Sequence, residues 1–257
     1  METDPARWVV ALKNSHARLR TLVEPLDEDD LRRQSYASEW SIAQVLSHLG
    51  SGAEIFEFFV DAGLTGSGPP GREEFEPIWA AWNALEPLQV ARDALASDAG
   101  LIGRISALDE QELDHFELSA FGMDIDAVSL MRMRLSEHAL HTWDIEVALD
   151  SAAVVSRDAV ALLVDALEGI AARTGKPTGD PQQIRVITIA PERAFDLVID
   201  EAVTLTPAGA NNALPEIELP SEQLIRLVYG RLDPEHTGDV RTDGVDLDAI
   251  RSVFPGI

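Results

Sequence analysis

The sequence predicts a bundle of long helices followed by a small α+β domain. Three observations carry that reading. Long stretches with apolar residues at helical spacing fill most of residues 5–149. After GKPTGDP (175–181) the texture changes to short alternating runs. The boundary between the two patterns falls near residues 150–156, giving a bundle over 1–153 and an α+β part over 154–257. A 257-residue chain that is 46% hydrophobic is long enough for one large domain or two ordinary ones.

The elements follow in order. Residues 5–24 set Trp8, Val9, Leu12, Leu19 and Leu22 on a helical period; Pro5 suits a first turn and Pro25 ends the run. LDEDDL (26–31) reads as an acidic connector. A second helix starts at Ser38 or Ser41, either of which can cap it. Its apolar set is Trp40, Ile42, Val45, Leu46, Leu49, Ile55, Phe56 and Phe59. Gly50 and Gly52 lower its propensity but permit close approach of another helix. GLTGSGPPGR (63–72) reads as a loop. Residues 76–108 are mostly helical, with a break or kink at Pro87. The pattern resumes at Ile125 and runs to Leu149, completing four long helices with one apolar side each. A fifth helix covers residues 157–173. IRVITI (184–189), FDLVI (195–199) and VTL (203–205) then alternate like strands, and short helices start near Ser221 and over 246–253.

Charge and composition narrow the function. Twenty basic and 45 acidic residues give a formal charge of −25. Such a surface repels nucleic acid and anionic membranes, and no basic helix or patch is visible. It suits a salt-rich cytoplasm, or simply a soluble acidic protein. No 18-residue uncharged apolar run predicts a membrane span, and METDPARWVV has no leader pattern. The chain has no cysteine, which excludes disulfides, thiolate metal sites and a cysteine nucleophile. These features together point to the cytoplasm.

The chemistry concentrates in one helix. Glu137 and His141 are four residues apart and stand over one another on a helix face. His48, from the second helix, can supply a third ligand. Two histidines and a glutamate with an open fourth position are the pattern of a catalytic zinc site, although iron or nickel accepts the same set. Asp144, three residues beyond His141, can take the other ring N–H of that histidine or pair with a base such as Arg134. His138 lies about 100° around the helix from Glu137 and reads as a surface or packing histidine. Trp40 and Trp143 read as packing residues.

These segments carry a resemblance. WSIAQVLSHL around His48 and RLSEHALHTWDIEVAL around Glu137 and His141 resemble the mycothiol-dependent maleylpyruvate isomerase family, within the wider group of DinB-like metal-binding bundles. LIRLVYGRL and DGVDLDAIRSVFPGI resemble the C-terminal domain of that family. The resemblance implies a DinB-like four-helix bundle with a C-terminal α+β domain, and zinc or another divalent metal on His48, Glu137 and His141. It also implies mycothiol as the thiol cofactor and a small electrophilic substrate, with isomerisation or S-transfer as the reaction. Arg231 is then a candidate for cofactor binding, with Arg132 and Arg134 as further polar groups. Two other readings remain open: a metal-dependent hydrolase with Asp144 or another carboxylate as base, and a non-catalytic module whose metal is closed off by a fourth ligand such as His138.

Overall fold

Asp4 opens the first helix by accepting a hydrogen bond from the backbone N–H of Ala6, and Pro5 takes the first helical position. The molecule is a computed structural model that describes residues 3–69, 71–211 and 213–256. The readings that touch Met1 and Glu2, Pro70 in the loop, and Ile257 in the last motif lie outside the described residues. Helix α1 spans Pro5–Val23. The acidic connector contains one further helical turn, α2 (Glu28–Leu31), capped by Asp27, with three acids where the positive end of the helix dipole favours them.

Ser41, one of the two capping candidates, caps α3 (Ile42–Thr65). Its hydroxyl accepts from the Gln44 N–H while the Gln44 side chain accepts from the Ser41 N–H. The helix persists into the stretch read as loop and ends at Gly66, in the left-handed conformation. Two shorter stretches then separate. Helix α4 covers Arg72–Asn83, and Pro87 is the first residue of α5 (Pro87–Ser106) rather than a kink. Helix α6 (Glu110–Asp114) and a two-stranded hairpin, β1 (Leu118–Ala120) with β2 (Met123–Ile125), lead into α7 (Ala127–Leu149).

Helices α1, α3, α5 and α7 form the bundle. Each of α1 and α3 packs against both α5 and α7. The core includes Leu19, Ile42, Val45, Leu46, Leu49 and Ile145. Trp82 wedges against Gly50, where an added Cβ would stand 2.3 Å from the indole ring. Gly50→Ala should therefore destabilise by about 1–3 kcal/mol through overpacking, although alanine favours a helix by about 1 kcal/mol. Urea unfolding checks this.

Helix α7 departs from the one-sided pattern. It buries Arg134, Ser136, His138, Thr142 and Asp144 beside Leu130, Leu135, Leu140 and Ile145, so protein surrounds it on most sides. The residues up to Val154 form one compact unit and those from Val155 another.

In the second unit, α8 (Arg157–Leu163), a 3-10 turn and α9 (Leu167–Thr174) replace the single predicted helix. A five-stranded sheet follows: β3 (Gln182–Ile189), β4 (Arg193–Ile199), β5 (Val203–Pro207), β6 (Glu216–Pro220) and β7 (Arg241–Asp243). The strand order is β5-β4-β3-β6-β7, and β3 and β6 are the parallel pair. Ile184, Val186 and Thr188 alternate toward the buried face of β3. Helix α10 (Ser221–Val228) starts at Ser221, and α11 (Leu247–Val253) is capped by Asp246.

Candidate metal centre

The close packing of α3 on α7 brings together the three residues named as ligands. His48 Nε2 lies 3.1 Å from Glu137 Oε2, and His141 Nε2 lies 3.5 Å from the same oxygen. The three ligand atoms fall within 4.8 Å of one another. A cation bound tetrahedrally at 2.0–2.1 Å separates its ligand atoms by roughly 3.4 Å, so these spacings fit one ion. Glu137 is closely surrounded by protein, yet its side chain keeps 41% exposure, which leaves the group open to an incoming molecule.

His141 is oriented from behind. Its Nδ1 lies 2.8 Å from Oδ2 of Asp144, whose side chain is fully buried. With Asp144 accepting the Nδ1 N–H, a neutral ring would turn its Nε2 lone pair toward Glu137, the form a metal ligand takes. Burial pushes the Glu137 carboxyl up, but hydrogen bonds with His141 and His48 outweigh it and hold the group well below the usual carboxylate range. It is an anion at neutral pH, as a ligand must be. Asp144→Ala should release the His141 ring and weaken metal binding by about 10–100-fold, read by competition with a chelating dye.

Trp40 does more than pack. Its ring centroid lies 5.2 Å from that of His48 and 6.2 Å from that of His141, so the indole walls one side of the group. The loop that carries it is tied to α7, because the Tyr36 N–H donates to the Asp144 carbonyl at 3.0 Å. Sequence spacing carries no sign of this, since Trp40 precedes the helix it serves.

The remaining candidates stand elsewhere. His138 is not at the surface: it is fully buried, with Nδ1 2.7 Å from Ser15 Oγ and Nε2 3.0 Å from Asp98 Oδ2. Both ring nitrogens face away from Glu137, so His138 provides no fourth ligand. Arg134 is 1% exposed and donates to Asp98 and to the Leu49 carbonyl, so it presents no open guanidinium to a cofactor. Arg132 is half-buried and donates to Ser129 Oγ. Arg231 belongs to the second unit, where its Nη1 donates to the Tyr229 carbonyl at 3.1 Å. The buried Arg226, which sequence reasoning passed over, organises that turn by donating to the carbonyls of Arg231 and His236.

His16, Asp98 and His138 form a second group with ligand-type spacing. Asp98 Oδ1 is already held by Arg134 at 2.7 Å, and Oδ2 by His16 Nδ1 at 2.7 Å. One negative charge is thus offset by one positive charge. A dication added there would leave two uncompensated positive charges in a buried core.

Fold and site together define a class: helical-bundle proteins that present a two-histidine, one-carboxylate group with metal-ligand spacing from facing helices. The model of the mycothiol maleylpyruvate isomerase N-terminal domain matches residues 12–146, more than half of the chain, and the chain belongs to that family. Two solved structures are similar over 95% of this chain and 95% of theirs: the mycothiol-dependent maleylpyruvate isomerase, and a variant of it with one histidine changed to alanine. Each has a TM-score of 0.69 and 15% identity, a likeness of fold. No curated protein matches the chain in sequence.

Proposed function

We propose that this protein is a divalent-metal-dependent enzyme that activates a low-molecular-weight thiol, mycothiol, toward a small electrophile. The reaction is isomerisation of the maleylpyruvate type, or S-transfer. The observation that carries this reading is the His48–Glu137–His141 group, open to solvent and lying within the segment matched by the family. These three residues would hold the metal, with zinc the proposed ion, and Asp144 would orient His141. When bound, a divalent ion supplies Lewis acidity that keeps a thiol ionised near neutral pH. Trp40 limits water on the imidazole side. The chain contributes no sulfur of its own, having no cysteine, so the nucleophile has to come from a small molecule. Arg231 is proposed to bind polar groups of that thiol, and Arg231→Ala should raise its Kd. The cysteine-free chain suits the cytoplasm, which keeps thiols reduced.

The hydrolase reading is weaker, because its proposed base, Asp144, is buried against His141. Among the described residues no helix is long and apolar enough to cross a membrane. The test is cobalt-substituted protein titrated with mycothiol. A new sulfur-to-cobalt absorption band, with thiol-dependent conversion of maleylpyruvate to its trans isomer or thiol consumption by an electrophile, is expected. A cobalt spectrum that thiol leaves unchanged would overturn the reading.

A further inference from the structure

Arg134 does not touch the metal group, yet it joins the two helices that supply it. Its Nη2 donates to Asp98 on α5 at 2.7 Å and to the Leu49 carbonyl on α3 at 3.1 Å. Leu49 directly follows His48, and Arg134 stands three residues before Glu137 on α7. Gly52, one turn beyond His48, makes room: a Cβ there would lie 3.3 Å from Arg134 Nη1. One turn further, the Phe56 ring centroid lies 5.7 Å from the guanidinium carbon. The guanidinium is therefore lodged along two turns of α3. Asp98 extends the same cluster to α1, through His16.

All four bundle helices meet at this hub, and it is buried. Arg134 and Asp98 side chains are each 1% exposed, and Arg134 Nε has no hydrogen-bond partner. A buried ion pair is weak as a source of stability compared with apolar residues of similar volume; its best-attested use is to fix register. We propose that the Arg134–Asp98 pair is a clamp that sets the separation and register of α3 against α7, and through them the spacing of His48 from Glu137 and His141. This rests on the reading of that triad as a metal site. Arg134 is a positioning residue, one that reaches the ligands through the backbone on either side of them.

The test uses the double variant Arg134→Met with Asp98→Asn. It removes both charges together and keeps an amide to bond His16 and His138. The variant should stay folded by circular dichroism, with Co2+ affinity lowered about 10-fold or more and a shifted cobalt d–d spectrum. A folded double variant with wild-type affinity and spectrum would overturn the clamp. Ile105→Ala, which opens a cavity in the buried part of α5, should lower Tm but leave cobalt affinity unchanged. An equal loss of affinity there would mean general loosening and would also overturn it. Arg134→Lys, which retains the charge but ends one bond short of the Nη2 position that holds both acceptors, replaces the double variant if that one fails to fold; it should show the same loss of affinity. A metal-free readout separates this idea from the metal reading. The cysteine-free chain can take spin labels at two introduced cysteines, at Phe58 on α3 and Asp150 at the end of α7. The label–label distance should shift or broaden in the clamp variant. An unchanged distribution would count against the clamp even if wild-type protein bound no cobalt.

Discussion

Glu137→Ala and His48→Ala are each expected to leave the purified protein without stoichiometric metal. Both ligand atoms converge on one point, and neither has a substitute: His138 faces Ser15 and Asp98, and Asp144 is occupied by His141. Four-ligand zinc sites bind with about 10–16 kcal/mol, so loss of one ligand costs on the order of 3 kcal/mol, or about 10²–10³-fold in affinity. Elemental analysis should give one metal ion per wild-type chain and close to none in either variant. His16→Ala should retain the full wild-type content, because the second histidine–aspartate group is already neutralised by Arg134. Full metal occupancy in Glu137→Ala would remove the basis for the site.

The second large effect concerns stability. Asp98→Ala strands the Arg134 guanidinium in the bundle centre without its counterion. Breaking a buried pair in this way costs about 3–5 kcal/mol, which corresponds to a fall in Tm of roughly 6–20 °C for a chain of this size. The effect depends on pH with a defined sign. Burial pushes the Asp98 carboxyl up, but His138 and Arg134 outweigh it and hold the group well below the usual range. A carboxylate whose pKa is lower folded than unfolded contributes fully above the unfolded value, about pH 4, and loses that contribution as pH falls through the folded one. The difference between wild type and Asp98→Ala should hold from pH 7 to about 5 and narrow below about pH 4. Thermal unfolding across that range measures it. A difference that stays constant into strong acid would show that Asp98 does not stabilise the fold as an anion.

Much of this architecture is readable from local signals. Pro5, Pro25, Ser41 and Asp246 mark helix ends that the structure places within a residue or two of the expected positions, because caps and prolines act through the backbone next to them. The first three strands of the sheet announce themselves through alternating β-branched and apolar residues. The hairpin strands β1 and β2 do not, since three residues are too few to show a period. Strand β6 does alternate, with Ile217 and Leu219 buried between Glu216, Glu218 and Pro220, but it is only five residues long, and β7 is three residues and exposed throughout, so local pattern passes over both.

The candidate site divides in the same way. Four-residue spacing places Glu137 over His141, and the structure keeps them together. The errors concern α7. Its buried circumference includes charged and polar side chains, so an argument from one apolar face leaves His138 open between a surface and a packing role, of which the structure shows the second, and offers Arg134 as a group for a ligand. Those residues are internal because partners on other helices, Asp98 and Ser15, satisfy them. Such partners lie tens of residues away and leave no mark on the local pattern.

Helix α7 serves two centres from adjacent positions. Glu137 belongs to the candidate metal group and His138, the next residue, to the hub; Asp98 and Leu49 are tied to the helix between them through Arg134. Deleting one residue anywhere from 135 to 137 would rotate everything downstream by 100° relative to Arg134. It would carry His141 off its ligand position and His138 out of the interior in one event. A deletion scan of this segment should therefore yield uniformly null proteins, in contrast to the surface turn at Gly66, where the chain can lose a residue without rephasing either assembly.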